Sequence, residues 1–358
     1  MKLNDYVMIH MCILLLFGAL VFPQAAMANK NNNEIALNEL HKSIEATLKQ
    51  HEIPAFAYAI VSQGKRPVVE VFGQHASFGH TNTSSTPITI NTPFRLASVS
   101  KLIVGIAVMQ HIERGTLSLD DRLDNLLPWL IYKNSYKDTH PILLKHLLEH
   151  TTGWDETSLK ERAAGNKGSL SIQDILSISA DSRESRWQPG TRHAYTNTTA
   201  TVVAAIIEEV SGQSFYDYVA SEIFMPLQIG SATYNESNVQ MPLGHRGKRS
   251  VPYQHIVMAP SGALAMSIVD MAKLANEFVA EHSRLLHSSS LTRMTLSTTT
   301  NAGNFKAGYG IFNYARYYNG IPYRGHDGAL PGWLAEFSYS PNNKVGFVVM
   351  QNSENGRA

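Results

Sequence analysis

A serine hydroxyl beside a lysine amine can attack a carbonyl carbon, the amine taking the hydroxyl proton as the oxygen bonds. Ser-x-x-Lys occurs twice in this chain, at Ser62-x-x-Lys65 and at Ser98-x-x-Lys101. An i, i+3 pair shares one face only where the backbone is helical. Ser62 falls in an expected hairpin turn with Gly64, which points the two side chains apart. Ser98 opens the apolar run Leu102–Met109, so its hydroxyl is expected at the positive N-terminus of a buried helix. A lysine pressed against apolar surroundings loses proton affinity and becomes a base near neutral pH. Standing alone, the pair would read as an ordinary N-cap with a snorkelling lysine.

Two further groups supply what the pair lacks. Tyr-x-Asn occurs at Tyr132, Tyr195 and Tyr317. The last is used by an Asn319-Gly320 turn and the first lies in a charged stretch. Tyr195-Thr196-Asn197 follows Pro189-Gly190 and opens an amphipathic run, which places it on a loop at a helix start. A phenol there can carry a proton to a leaving group, and the amide can orient substrate or Lys101. His326-Asp327-Gly328 precedes a strand pattern. His245-Arg246-Gly247 sits in a basic loop and is expected to face solvent, and Lys306-Ala307-Gly308 is a further candidate for the same part.

The elements that must position these groups are legible in outline. Leu37, Leu40, Ile44 and Leu48 recur at helical spacing. Ala55–Val61 and Val68–Phe72 read as a hairpin, and Thr81–Thr92 as a polar loop. Helical patterns fill about residues 120–280, among them Thr198–Val210 closed by Gly212. Tyr314–Tyr318 and Ile321–Tyr323 flank the Asn319-Gly320 turn, and Leu334–Tyr339 and Val345–Met350 flank Pro341-Asn342-Asn343. Strands at both ends with helices between imply an α+β fold, one sheet built from both termini and interrupted by a helical insertion.

The chain has 358 residues, 44% apolar and 16% charged, enough to bury a large core and unlike a disordered polymer. Lys plus Arg number 30 and Asp plus Glu 29, so no basic excess favours a nucleic-acid partner. Residues 1–28 carry Lys2, an apolar run from Val7 to Phe22 and an Ala26-Met27-Ala28 cleavage pattern, as an export signal does. That run is shorter than the roughly 20 residues needed to span a bilayer. A periplasmic or secreted protein with no membrane span after cleavage is expected. Its one cysteine, Cys12, lies inside the signal, so a mature chain has no thiol for a disulfide, a metal or a nucleophile.

Ser98-x-x-Lys101, Tyr195-x-Asn197 and His326-x-Gly328, in that order, resemble the penicillin-recognising serine hydrolases, and most the branch of class C β-lactamases, esterases and D-aminopeptidases. Phe94–Ser98, His146–Gly153, Ala204–Gly212 and Pro260–Ala263 share the likeness, which runs from about residue 35 to the end. The resemblance implies a β-lactamase/DD-peptidase-like fold, with an α/β part over about 29–100 and 265–358 and a helical part over about 101–264. It implies an acyl-enzyme route on esters, D-amino-acid amides or peptides. Ser98 attacks, Lys101 is its base and Tyr195 carries the proton. The N–H groups of Ser98 and Ala329 hold the oxyanion, while Asn197, His326 and Gly328 line the substrate site. No cofactor or metal is implied, and the partner is a small-molecule or peptide substrate. In β-lactamases the third motif is usually Lys-x-Gly, whereas His-x-Gly resembles that of D-aminopeptidases and related esterases. His326 instead has a reference pKa near 6.5 and is mostly neutral at pH 7, which weakens the case for β-lactams. Arg324 is a candidate replacement cation, and Trp333 could cap the acyl pocket or simply pack. The family also implies a helix after the Val345–Met350 strand, whereas the sequence stops at Ala358.

Two rival readings stand beside this one. His146-Leu-Leu-Glu149-His150 matches an H-x-x-E-H zinc pattern, with Glu208, Glu209 or Glu222 as a third ligand. The other rival is a catalytically silent binder of cell-wall peptide, against which the intact Ser98, Lys101 and Tyr195 argue.

Overall fold

A computed structural model describes residues 30–75, 86–163, 170–235, 241–299 and 308–355. The export signal read over 1–28 lies outside them. Strands β1 (Ala55–Ser62), β2 (Val68–His75), β3 (Thr86–Pro87) and β4 (Pro93–Arg95) come first. Next are β5 (Gly244–Arg246), β6 (Arg249–Val251) and β7 (Ala265–Ser267), then β8 (Tyr309–Gly310), β9 (Asn313–Tyr318), β10 (Ile321–Leu330), β11 (Trp333–Ser340) and β12 (Val345–Gln351). Eight of them form one sheet in the order β3-β2-β1-β12-β11-β10-β9-β8. The described ladders are antiparallel, and β12 pairs with β1 on one side and β11 on the other. The expected α+β fold, a sheet drawn from both ends of the chain, is what the structure has. The β9–β10 turn puts Asn319 and Gly320 at φ 49° and 79°, the paired positive angles that suit a tight hairpin.

Strand alternation sends the two faces of this sheet to different partners. Phe56 and Tyr58 of β1 join Tyr323, Phe347 and Val349 beneath Leu40 and Ile44 of helix α1 (Lys30–Gln50). Ala55, Ala57, Ala59 and Val61 face the other way, into the main core. There lie α2 (Ser100–Glu113), α3 (Leu144–Leu148), α4 (Thr198–Ser211), α5 (Ala259–Gly262) and α6 (Ile268–Glu277). Helix α2 is buried from Ser100 to His111, as a helix apolar on every side must be. Burying each of Leu102, Ile103, Ile106 and Val108 contributes about 1.5–3 kcal/mol, which makes this helix a rigid mount for whatever precedes it. Helix α4 ends at Gly212, whose φ of 68° closes it in the left-handed conformation.

Two local expectations change. Ser98 is not the N-cap of α2: the cap is Val99, and Ser98 sits in a 3-10 turn, Ala97–Val99, that feeds the helix. Hydrogen bonding of the turn to its neighbours, rather than to its own side chain, decides this start. His245 is half-buried on the β5–β6 hairpin rather than solvent-facing, because Asn352 and Glu354 pack beside it. Among the described residues, no helix is long and apolar enough to cross a membrane.

Candidate active site

The turn that carries Ser98 is gripped from three sides. Leu96 N–H donates to Leu264 O at 2.9 Å, and Ser100 Oγ donates to Ala97 O at 2.6 Å while accepting from Leu264 N–H at 3.2 Å. From the third side β10 presses so close that a Cβ on Gly328 would lie 2.0 Å from Leu96 O. The outcome is visible at Ala97, whose φ of 49° is a left-handed angle that a side chain adopts at a cost of about 1 kcal/mol or more. This strained step turns Ser98 toward a cavity of about 550 Å3, lined also by Asn197, Ser261, Gly262 and Ala329.

Lys101 lies one helical turn further on and is fully buried. Its Nζ is 2.7 Å from Asn197 Oδ1, 2.7 Å from Ser261 O and 3.2 Å from Ser98 Oγ. An ammonium has three protons for these three acceptors. Burial pushes the amine down to about 7, although the Glu156 and Asp327 carboxylates pull the other way. Once neutral, the amine keeps two protons. Asn197 Oδ1 and Ser261 O, which can only accept here, hold those two, and the remaining lone pair faces Ser98 Oγ.

Asn197 occupies the N-cap of α4 yet makes no capping bond. Its side chain is engaged elsewhere: Oδ1 on Lys101, and Nδ2 donating to Glu156 Oε2 at 2.9 Å. Glu156 also accepts from Asn197 N–H at 3.2 Å and from Thr157 N–H at 2.7 Å. An ionised carboxylate only accepts, so it fixes which end of the amide turns to the lysine. The Tyr195 hydroxyl is hydrogen-bonded to Ser98, and burial raises the phenol well above its usual range, which keeps it protonated. Lys101 Nζ lies 4.9 Å from the centre of the Tyr195 ring.

His326 reaches the same site from β10, with both ring nitrogens engaged. Nδ1 donates to Asp327 O at 2.6 Å, and Nε2 is 3.0 Å from the Tyr309 hydroxyl. Burial lowers its pKa to about 3, with Lys101 and Arg316 acting in the same direction and Asp327 against them. Arg324, two residues back, does not line the cavity. Trp333 packs edge-on against Phe94, 6.0 Å between centres, and is not a lid.

The structure thus puts Ser98, Asn197 and Ala329 at the cavity wall, with Lys101 and Tyr195 hydrogen-bonded to Ser98 behind them, His326 beside the Tyr195 ring and Gly328 packed on the Ser98 turn. The other pairs lie apart: Asn134 bonds His140 O, Tyr317 is exposed, and Lys65 N–H closes a turn on Ser62 O. Lys306 and Ala307 lie outside the described residues. Glu156, Tyr309 and the carbonyl of Ser261 have parts here that sequence spacing did not reveal, since each is far from its partner along the chain.

The H-x-x-E-H set is taken apart by the fold. The helix stops at Leu148, and His150 turns away with φ 52°. His146 Nδ1 accepts from Leu143 N–H, and the Glu149 carboxylate accepts from the main chain and hydroxyls of Thr298 and Thr299. Among the described residues, no three His, Cys, Asp or Glu side chains form a metal-holding group.

Comparison with known proteins agrees with this architecture. A family model described as Beta-lactamase matches residues 40–358. "Penicillin-binding protein 4*" of Bacillus subtilis (strain 168) is 30% identical over 168 residues, 46% of this chain and 35% of that protein. The chain spans less than half the length of the first curated relatives it matches. An octameric penicillin-binding protein homologue from Pyrococcus abyssi superposes with a TM-score of 0.75 at 22% identity, covering 89% of this chain and 74% of that one. A D-amino acid amidase from Ochrobactrum anthropi SV3 superposes with a TM-score of 0.69 at 18% identity, covering 86% and 88%. These two likenesses concern the fold, and the family match extends over most of the sequence: the chain belongs to the β-lactamase family of penicillin-recognising serine hydrolases.

Proposed function

We propose that this protein hydrolyses esters, D-amino-acid amides or short peptides through an acyl-enzyme on Ser98. The observation that carries the reading is the Lys101 amine, with 2.7 Å bonds to Asn197 Oδ1 and Ser261 O that leave its lone pair for the Ser98 hydroxyl. The proton of Ser98 passes to Lys101 as Oγ bonds to the substrate carbonyl carbon. Negative charge on the carbonyl oxygen is met by the N–H groups of Ser98 and Ala329, both at the cavity wall. Collapse breaks the bond to the leaving group. Tyr195, a phenol hydrogen-bonded to Ser98, gives that group its proton and recovers one from Lys101. Water then attacks the acyl carbon by the same path in reverse, returning Ser98.

His326 lies buried beside the Tyr195 ring, 6.1 Å between centres. Simple esters are turned over well and β-lactams poorly, since no ammonium stands at this position to hold a substrate carboxylate. The amidase that shares the fold supports D-amino-acid amides as candidates. Residues 1–28 are read as an export signal, so the reaction takes place outside the cytoplasm, on a chain beginning at Asn29.

The test is peptide mapping after treatment with a fluorophosphonate probe. One adduct on the Ser98 peptide, absent from Ser98→Ala, is expected, with kcat/KM for p-nitrophenyl acetate above that for nitrocefin. No adduct on folded protein would refute the acyl-enzyme, and the opposite substrate order would refute the preference.

A further inference from the structure

We infer that Tyr309 and Arg316 are specificity-determining positioning residues, which hold His326 as an uncharged imidazole and so withhold a cation from the substrate's carboxylate position. This rests on the Ser98 reading for its catalytic consequence, though not for its geometry.

The tautomers follow from two main-chain groups. Asp327 O can only accept, so its 2.6 Å bond puts the proton of His326 on Nδ1 and leaves Nε2 as acceptor. At the other end, His150 Nδ1 faces the Thr196 N–H at 3.4 Å and the Thr199 hydroxyl at 3.0 Å; the main-chain N–H can only donate and the hydroxyl can donate as well, so His150 carries its proton on Nε2. That nitrogen is 3.1 Å from the Tyr309 hydroxyl, and His326 Nε2 is 3.0 Å from the same hydroxyl. Tyr309 has one proton. It accepts from His150 and donates to His326, and each bond in the chain has a single consistent direction. To place a proton on His326 Nε2, the Tyr309 O–H must turn back on a His150 that already points an N–H at it. Charging one ring therefore disrupts partners across three buried side chains.

The neighbouring carboxylate could oppose this, and Arg316 prevents it. Asp327 Oδ1 is 4.0 Å from His326 Nδ1, whereas Arg316 Nη2 holds that oxygen at 2.6 Å. The guanidinium also reaches Glu336 at 3.4 Å. The groups facing His326 are Lys101 from α2, His150 from the segment after α3, Tyr195 from the segment before α4, Tyr309 from β8, Tyr314 and Arg316 from β9, and Asp327 from its own strand. Among the described residues no lysine or arginine lines the cavity, while Glu161 does.

Imidazole 1H–15N NMR of the full protein from pH 4 to 8 tests this directly. His326 is expected as a neutral Nδ1–H ring that does not titrate, and His150 as an Nε2–H ring. In Tyr309→Phe, water replaces the hydroxyl and can turn either way, so His326 titrates at least one pH unit higher. At pH 5 the kcat/KM ratio of nitrocefin to p-nitrophenyl acetate rises at least fivefold through KM. Arg316→Met, which releases Asp327, is expected to move the titration in the same direction. A wild-type His326 that titrates between pH 5 and 8, or appears as the Nε2–H tautomer, overturns the inference. So does a folded Tyr309→Phe with unchanged ring signals. A missing Ser98 adduct would remove the acyl-enzyme reading, while the ring signals would still decide this one.

Discussion

Glu156→Ala separates two roles of one carboxylate. Glu156 touches Lys101 only through Asn197, by hydrogen bonds of 2.9 and 2.7 Å on either side of the amide. Carboxylate and amine are then roughly 7 Å apart, an attraction of about 2 kcal/mol at an effective dielectric near 20 and about half that beside an open cavity. That charge favours the ammonium. Deleting it lets Lys101 lose its proton at lower pH, by about one unit since 1.36 kcal/mol corresponds to one unit. In the wild type, with the amine at about 7, kcat/KM for p-nitrophenyl acetate should fall about tenfold per pH unit below that point. In Glu156→Ala the acid limb should move down by about one unit. The plateau should drop separately, about fivefold to tenfold, because Asn197 Nδ2 exchanges a charge-assisted bond for water. The assay is the pH profile of both proteins from pH 4.5 to 9 at constant ionic strength. An acid limb that stays in place, or moves upward, would show that the titrating base is not a lysine beside Glu156.

Other outcomes follow from the same geometry. Gly328→Ala forces a methyl to within 2.0 Å of Leu96 O, so fluorophosphonate labelling of Ser98 should slow at least a hundredfold with a lower Tm. Lys101→Met should abolish labelling. Because the folded amine lies below its unfolded value of 10.5, the native state is penalised fully below about pH 7 and progressively less as pH rises toward 10.5. The variant's Tm relative to wild type should therefore be more favourable at pH 6 than at pH 9. Glu149→Ala strips a buried carboxylate from Thr298 and Thr299 and should lower Tm by several degrees, with ester turnover of the wild type unaffected by a chelator. Chelator-sensitive turnover would revive the zinc reading.

Some of this molecule is written in short stretches of sequence, because the forces concerned act over a few residues. The unbroken apolar run after Ser98 demanded a buried helix, Asn319-Gly320 demanded a hairpin turn, and Gly212 a left-handed helix end. The motifs around Ser98, Tyr195 and His326 were visible for the same reason: each is a local pattern with recognisable chemistry. Which copy of each pattern mattered could be argued from flanking elements alone. The start of α2 could not, since Val99 rather than Ser98 became its cap once Leu264 and Gly328 clamped the turn. Nor could the zinc-like helix be dismissed without knowing that His150 leaves it. The chemistry of the site is tertiary throughout. Lys101 loses proton affinity only where burial strips its water, and the Asn197 and Ser261 oxygens that hold its amine come from 96 and 160 residues away. His326 is kept uncharged chiefly by the burial that the closed fold imposes on it. Proton affinity and hydrogen-bond direction depend on what surrounds a group in space, and a one-dimensional pattern holds no record of that until the chain has closed around it.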